Sequence, residues 1–253
     1  MDLSSKRGLI IGVANQSSIA FGCAQVLAEA GASLCVTYQN EKTLKYVQPL
    51  LERLGNPLSC QLDVCSADDI AALVQQLEKE WGKLDFLIHS VAWSPLDELH
   101  GRVIDSSSEG FLQAMDVSCH SFIRTAKAVE PLMTDGGTLI TMSYYGSQKV
   151  IDHYNLMGPV KAALESSVRY MAAELGDKGI RVHTVSPGPM PTRAGSGIKD
   201  FDHLMDDAVE HSPLHTLANP TDVGNLVSFL VSDAAKHMTG HLLYVDAGEH
   251  IMY

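Results

Sequence analysis

Short apolar runs recur along the chain at 8–13, 33–38, 58–63, 84–90, 138–143, 181–186 and 242–245. Between them lie longer stretches whose apolar positions repeat at helical intervals, at 19–30, 42–54, 67–81, 109–133, 154–175 and 222–231. The short runs are apolar at successive rather than alternate positions, which predicts strands buried on both faces. Regular alternation of strand and helix predicts an α/β fold, a doubly wound, seven-stranded parallel sheet flanked by helices on both faces. Several helical segments open with Ser, Thr or Asp as caps, and Gly31, Gly55 and Gly82 stand where the first three should close. No Pro/Gly/Ser-rich linker or repeat divides the chain, so the expectation is one domain over 1–253, with 187–213 as its least regular stretch.

A hydrophobic content of 45% over 253 residues is ample for a large core. The formal charge of −12 carries no Lys/Arg cluster, which argues against nucleic acid and anionic membranes as partners. Five scattered cysteines form neither a CxxC nor a complete disulfide set, and the eleven histidines show no HxxxH or HxxE spacing, so no metal site is expected. No apolar stretch is long enough to span a bilayer, and residues 1–7 lack a cleavable-signal pattern; the expectation is a cytoplasmic protein.

Chemistry concentrates at the predicted carboxyl ends of the strands. The first strand runs into Gly12-Val13-Ala14-Asn15-Gln16-Ser17-Ser18-Ile19-Ala20-Phe21-Gly22 and then a helix, where a glycine admits a pyrophosphate and the helix N-terminus faces it with free N–H groups. This is a Rossmann-type arrangement without the GxGxxG spacing. Gln39, ending strand two, stands where such folds bind the adenosine ribose; Lys42 and Lys45 lie near but no arginine follows, which favours NADH over NADPH. Asp63-Val64 and His89-Ser90-Val91-Ala92 close strands three and four at the same edge. Tyr154 and Lys161, seven residues apart, would share one helix face, where an ammonium beside the phenol would lower its pKa. Pro159 between them allows a helix that begins only near 158, with Tyr154 just ahead of it.

These residues, with Thr37-Tyr38-Gln39-Asn40, Ser143-Tyr144-Tyr145-Gly146, Tyr154-Asn155-x-Met157-Gly158-x-x-Lys161-Ala162, Ser196-Gly197-Ile198-Lys199-Asp200-Phe201 and Val245-Asp246-Ala247-Gly248, resemble the bacterial NADH-dependent enoyl-acyl-carrier-protein reductases, a divergent branch of the short-chain dehydrogenase/reductases, over essentially the whole chain. Ordinary members of that superfamily use Tyr-x3-Lys; here Met157 stands four before Lys161, and the spacing is Tyr-x6-Lys. The resemblance implies hydride transfer from NADH to the β-carbon of a trans-2-enoyl thioester in fatty acid biosynthesis. Tyr154 would hydrogen-bond the thioester oxygen, Lys161 would hold the nicotinamide ribose, and Tyr144 would stand near the substrate. It implies cofactor contacts at Gly12, Ser18, Ile19, Gln39, Asp63, Val64, Ser90, Val91, Lys161, Met190, Pro191, Thr192, Arg193 and Ala194, with Ser94 lining the acyl pocket. It further implies a substrate-covering loop at about 190–212, an acyl carrier protein that could dock through Arg193 and Lys199, and a homotetramer pairing the two long helices.

Two other readings share the fold: a carbonyl or 3-oxoacyl reductase using the same tyrosine, and a non-catalytic NAD(H)-binding sensor. The Tyr-to-Lys spacing weighs against the first, and the presence of both residues against the second. His153 reads as a solvent-facing loop histidine.

Overall fold

The computed structural model of the chain describes residues 1–252. Among them, strands β1 (Arg7–Ile11), β2 (Ser33–Tyr38), β3 (Leu58–Gln61), β4 (Phe86–His89), β5 (Gly137–Met142), β6 (Ile180–Pro187) and β7 (Leu242–Val245) form one sheet. Its order is β3-β2-β1-β4-β5-β6-β7, and every pairing is parallel. The chain winds outward from β1 to β3, returns to place β4 against the other side of β1, and continues outward to β7. The reversal between β1 and β4 opens a crevice at the carboxyl ends of those strands, where doubly wound sheets take their ligands.

Helices α1 (Ile19–Glu29), α2 (Glu41–Arg53), α3 (Ala67–Trp81), α4 (Leu96–His100), α5 (Ser108–Met115), α6 (Ser121–Val129), α7 (Met157–Leu175), α8 (Phe201–His211) and α9 (Pro220–Val231) complete the chain. One buried cluster lies between the sheet and α3, α5, α6 and α7; a second lies beneath α1, α2 and α9. On that second face α1 and α9 touch at backbone distance. A Cβ on Gly22 would fall 2.4 Å from the Pro220 side chain, and one on Gly224 would fall 2.8 Å from the Gly22 carbonyl oxygen.

The predicted elements are present with several shifts. The edge strand β3 is only partly buried and stops at Gln61, leaving Asp63 in the following turn. The predicted helix 109–133 is broken by a π-helical turn at Asp116–His120 and by a 3-10 turn at Glu130–Leu132, the latter beginning where Pro131 removes a helical donor. The helix predicted from 154 begins at Met157, which puts Pro159 in the first turn, where its missing N–H has no partner to lose. The irregular stretch 187–213 contains α8, and α4 was not anticipated; α4 is five residues long, too short for a period to register. Gly31, Gly55 and Gly82 take positive φ of 92°, 80° and 66° as α1, α2 and α3 close.

Candidate active site

The turn from β1 into α1 is built around Gly12 and Ser18. Gly12 has φ 109°, and a Cβ there would lie 2.1 Å from the Ser90 carbonyl oxygen, so only glycine lets the β1 and β4 ends lie side by side. Ser18 is the N-cap of α1 but makes no side-chain bond to the helix. Its hydroxyl instead accepts the N–H groups of Ala14 (3.0 Å) and Asn15 (2.9 Å), while the Asn15 Oδ1 accepts the Ser17 N–H at 2.9 Å. The loop is thus held by its own side chains, and the helix end stays open to an anion with its dipole directed at it.

The N-terminus of α2 is closed. Asn40 Oδ1 accepts from Lys42 N (3.0 Å) and Thr43 N (3.1 Å), and the Thr43 hydroxyl accepts the Asn40 N–H at 2.9 Å. Gln39 stands exposed just before it. Asp63 and Val64 lie on the neighbouring turn, where the Asp69 carboxylate accepts the Asp63 N–H at 2.8 Å and Asp63 in turn accepts the Cys65 N–H at 2.9 Å. A dinucleotide's pyrophosphate matches the open α1 end and the Gly12 cradle, and its adenosine matches the Gln39–Asp63 edge.

Beyond β4, the residues Ser90 to Ser94 are fixed from the π-turn. The fully buried Ser118 hydroxyl accepts the Trp93 N–H and donates to the Trp93 carbonyl, both at 2.7 Å. Three residues on, the Ser121 hydroxyl donates to Val117 O, so it accepts from His89 Nε2 at 2.9 Å; the imidazole is the Nε2–H tautomer, with Nδ1 toward the Thr141 hydroxyl. Burial, with the Lys161 ammonium second, pushes His89 down to about 3, so it remains neutral. Ser94 is buried at the far end of this segment, its hydroxyl donating to Pro95 O at 3.3 Å.

Tyr154 sits in the turn ahead of α7, not on it, between two residues in the left-handed region, His153 (φ 63°) and Asn155 (φ 40°). The side chain of Asn155 anchors that turn by donating to Leu99 O at 2.7 Å. The Tyr154 ring packs edge-on to Tyr144, centroids 5.0 Å apart, over Gly146, where a Cβ would lie 2.5 Å from the ring. Lys161, on the second turn of α7 and 4% exposed, donates to Met142 O at 2.8 Å. Burial brings its ammonium down to about 8, with Cys119 and Glu165 opposing the fall.

The expectation that Lys161 lowers the Tyr154 pKa is overturned. Burial, and after it the Glu165 carboxylate, push the Tyr154 phenol upward. Tyr154 is therefore a neutral hydroxyl donor at the head of α7, suited to meeting negative charge that develops on an oxygen, with the buried Lys161 ammonium further along the same helix.

Of the residues after β6, Met190 is buried beneath the sheet edge, whereas Pro191, Arg193 and Ala194 are exposed; the Thr192 hydroxyl accepts the Gly195 N–H at 3.0 Å, tightening the turn. Two histidines link this segment to the site. His100 Nε2 lies 2.9 Å from Gly197 O, and His153 Nε2 lies 3.2 Å from the Asp200 carboxylate. His153 is a partly exposed loop histidine, as expected, and lies against Asp200. Ser118 and Glu165 escaped the sequence reading, because each acts through neighbours remote in sequence and neither belongs to a spacing motif; Asn155 stood in the Tyr154–Lys161 motif, but its bond to Leu99 did not show.

A doubly wound parallel sheet, an open glycine turn at its switch point, and a buried Tyr–Lys pair at the β5–α7 edge define a Rossmann-type, nicotinamide-dependent reductase of the short-chain kind. The family model described as "Enoyl-(Acyl carrier protein) reductase" matches residues 12–250. The chain is 44% identical over 248 residues, 98% of its length and 91% of the relative's, to the enoyl-[acyl-carrier-protein] reductase [NADH] 1 of Rhizobium meliloti. Among solved structures it resembles the enoyl-(acyl-carrier-protein) reductase of Anaplasma phagocytophilum in complex with NAD, with a TM-score of 0.95 and 44% identity over 98% of this chain and 95% of that one. It also resembles the Bacillus cereus enoyl-acyl carrier protein reductase with NADP+ and indole naphthyridinone, with a TM-score of 0.97 and 37% identity over 100% of both chains. The chain belongs to the enoyl-acyl-carrier-protein reductase family.

Proposed function

We propose that the chain is an NADH-dependent enoyl-acyl-carrier-protein reductase that saturates the C2–C3 double bond of a trans-2-enoyl thioester in fatty acid biosynthesis. The observation that carries this reading is the buried Tyr154 in the turn ahead of α7, packed on Tyr144 and Gly146, with the buried Lys161 on the second turn of that helix. When bound, NADH supplies the hydride that is received by the β-carbon. Tyr154 donates to the thioester oxygen as negative charge gathers there, and a phenol kept protonated by burial is the better donor at neutral pH. Lys161 uses one N–H on Met142 O and keeps two for ribose hydroxyls. Tyr144, edge-on to Tyr154, forms a wall of the same pocket, and Ser94 lines its acyl end.

The remaining cofactor contacts are assigned by position. The N–H group of Ile19, in the turn built around Ser18, faces the pyrophosphate, and Gln39, Asp63 and Val64 border the adenosine. Ser90 and Val91, with the segment Met190, Pro191, Thr192, Arg193 and Ala194, border the nicotinamide half. The capped α2 end and the Glu41 carboxylate in its first turn disfavour a 2′-phosphate, which supports NADH over NADPH. Residues 190–212, tied down through His100 and His153, serve as the substrate cover.

Arg193 and Lys199, both exposed on that cover, are the cations available to an acidic carrier protein, although α8 beside them carries Asp202, Asp206, Asp207 and Glu210. Exposed Phe111 and Leu112 on α5 and Tyr170 on α7 support assembly through these helices into a homotetramer. No helix among the described residues is long and apolar enough to cross a membrane, and the assigned place of action is the cytoplasm.

The test follows NADH absorbance with a crotonyl thioester, beside acetoacetyl thioester as the carbonyl control. Oxidation with the enoyl substrate only, slowed about 10²- to 10³-fold in Tyr154→Phe, is expected for loss of one oxyanion donor. Oxidation with the ketone alone would replace this reading by that of a carbonyl reductase.

A further inference from the structure

Glu165 is a carboxylate in the core that the proposed chemistry leaves unused. It lies one helical turn beyond Lys161 on α7 and is 6% exposed. A single oxygen, Oε1, accepts two hydroxyls at 2.5 Å each, from Ser143 at the end of β5 and from Ser147 in the turn after it. Those two serines bracket Tyr144-Tyr145-Gly146. The bonds therefore clamp the turn that carries Tyr144, and on which the Tyr154 ring rests, to the helix that carries Lys161. A close approach of that turn to α7 is also built in at Gly158, where a Cβ would lie 3.0 Å from the Gly146 carbonyl oxygen.

An ionised group at this depth costs several kcal/mol unless it is paired and hydrogen-bonded, so a carboxylate placed here calls for an explanation beyond fastening a turn. The groups within its electrostatic reach are the Lys161 ammonium on its own helix, the Tyr154 phenol in the turn and the Tyr244 phenol on β7. Around Lys161 stand Cys119 of the π-turn and neutral His89 of β4. Arg169 donates to the Glu165 carbonyl at 3.2 Å.

We infer that Glu165 is a further positioning residue of the reductase, a buried counter-charge one helical turn from Lys161 whose two serine bonds hold the Tyr144 turn in register with α7. This rests on the assignment of Tyr154 and Lys161 as the reacting pair. The direction of each electrostatic effect agrees with it: the carboxylate favours the charged form of Lys161 and opposes ionisation of Tyr154.

Because both serines bond to one oxygen, charge and hydrogen bonding can be separated. Glu165→Gln keeps an acceptor oxygen for both hydroxyls and removes only the charge, whereas the double variant Ser143→Ala/Ser147→Ala keeps the charge and removes the bonds. For each, kcat/KM with crotonyl thioester is measured against pH, with NADH affinity by fluorescence titration and Tm alongside. Glu165→Gln is expected to bind NADH within about two-fold of the parent at neutral pH, to lose about ten-fold in kcat, and to move the alkaline limb of its profile to lower pH. The double variant is expected to lose turnover with the limb in place. An unmoved limb and parent-like kcat in Glu165→Gln would overturn the inference. Should Glu165→Gln not fold, the double variant decides: full turnover there would equally overturn it. Parent-like turnover in Tyr154→Phe would instead dismiss the assignment of the reacting pair, whatever Glu165 does.

Discussion

At residue scale, burial governs the chemistry of the ionisable groups. Tyr154 and Lys161 are both shifted toward their neutral forms by loss of water, and neither shift was legible in a seven-residue spacing. The spacing identified the pair; the sign of the tyrosine's shift depends on Glu165 and on depth, which only the folded chain supplies. Gly12, by contrast, was legible, because a turn between strand and helix needs a residue without a Cβ. Gly12→Ala should abolish measurable NADH binding in a fluorescence titration, since its methyl would stand 2.1 Å from the Ser90 carbonyl and the φ of 109° is strained for alanine.

A second buried acid, Glu249, lies outside the reacting pair and accepts from the Tyr145 hydroxyl at 3.3 Å. Burial first, with Asp246 adding to it, pushes its carboxyl from 4.5 up to about 7. The folded chain thus keeps a proton that the unfolded chain releases in that window. The stabilisation is complete below pH 4.5 and is lost as pH rises through about 7, at about 1.4 kcal/mol per unit. Urea unfolding at pH 5 and pH 8 should show this loss in the parent, and a smaller one in Glu249→Gln.

At the scale of elements, periodicity found the helices long enough to show one and missed what interrupts them. The π-turn at Asp116–His120 is the clearest case, since residues 109–133 read as one amphipathic helix. Its function is local. The extra residue in the turn accompanies the placing of Ser118 on Trp93 and Ser121 on His89, which fixes the segment carrying Val91 and Ser94. Ser118→Ala should raise the KM for the enoyl thioester about ten-fold, the scale of one buried hydrogen bond. Its NADH affinity should fall less than that, because Ser118 reaches the cofactor only through the Val91 segment while the Gly12–Ser18 turn is held by its own side chains. Equal losses in both would place Ser118 in the cofactor site instead. The stretch 187–213 reads as irregular because α8 mixes acids and histidines among its apolar positions; its helix becomes visible only where Phe201 and Ala208 are buried.

At the scale of the whole molecule, the alternation of apolar runs was enough to specify a seven-stranded parallel sheet, because strands buried on both faces leave a signature that does not depend on their exact ends. The edge strand β3, only partly buried and ending at Gln61, is where that signature was weakest. Strand order placed the turn ends of β1, β4 and β5 along one edge and brought residues as distant as Gly12, Ser90 and Tyr154 to the same side of the sheet. The family assignment and the geometry of that edge meet in one claim, that hydride is received at the β-carbon of an enoyl thioester and negative charge at the oxygen held by Tyr154. The most direct test reduces crotonyl thioester with NADH deuterated at the nicotinamide C4 and locates the label in the butyryl product by mass spectrometry and NMR. One deuterium on C3, with a solvent-derived proton on C2, is the predicted result. Label found only at the carbonyl carbon of an acetoacetyl control, with crotonyl thioester returned unchanged, would contradict it.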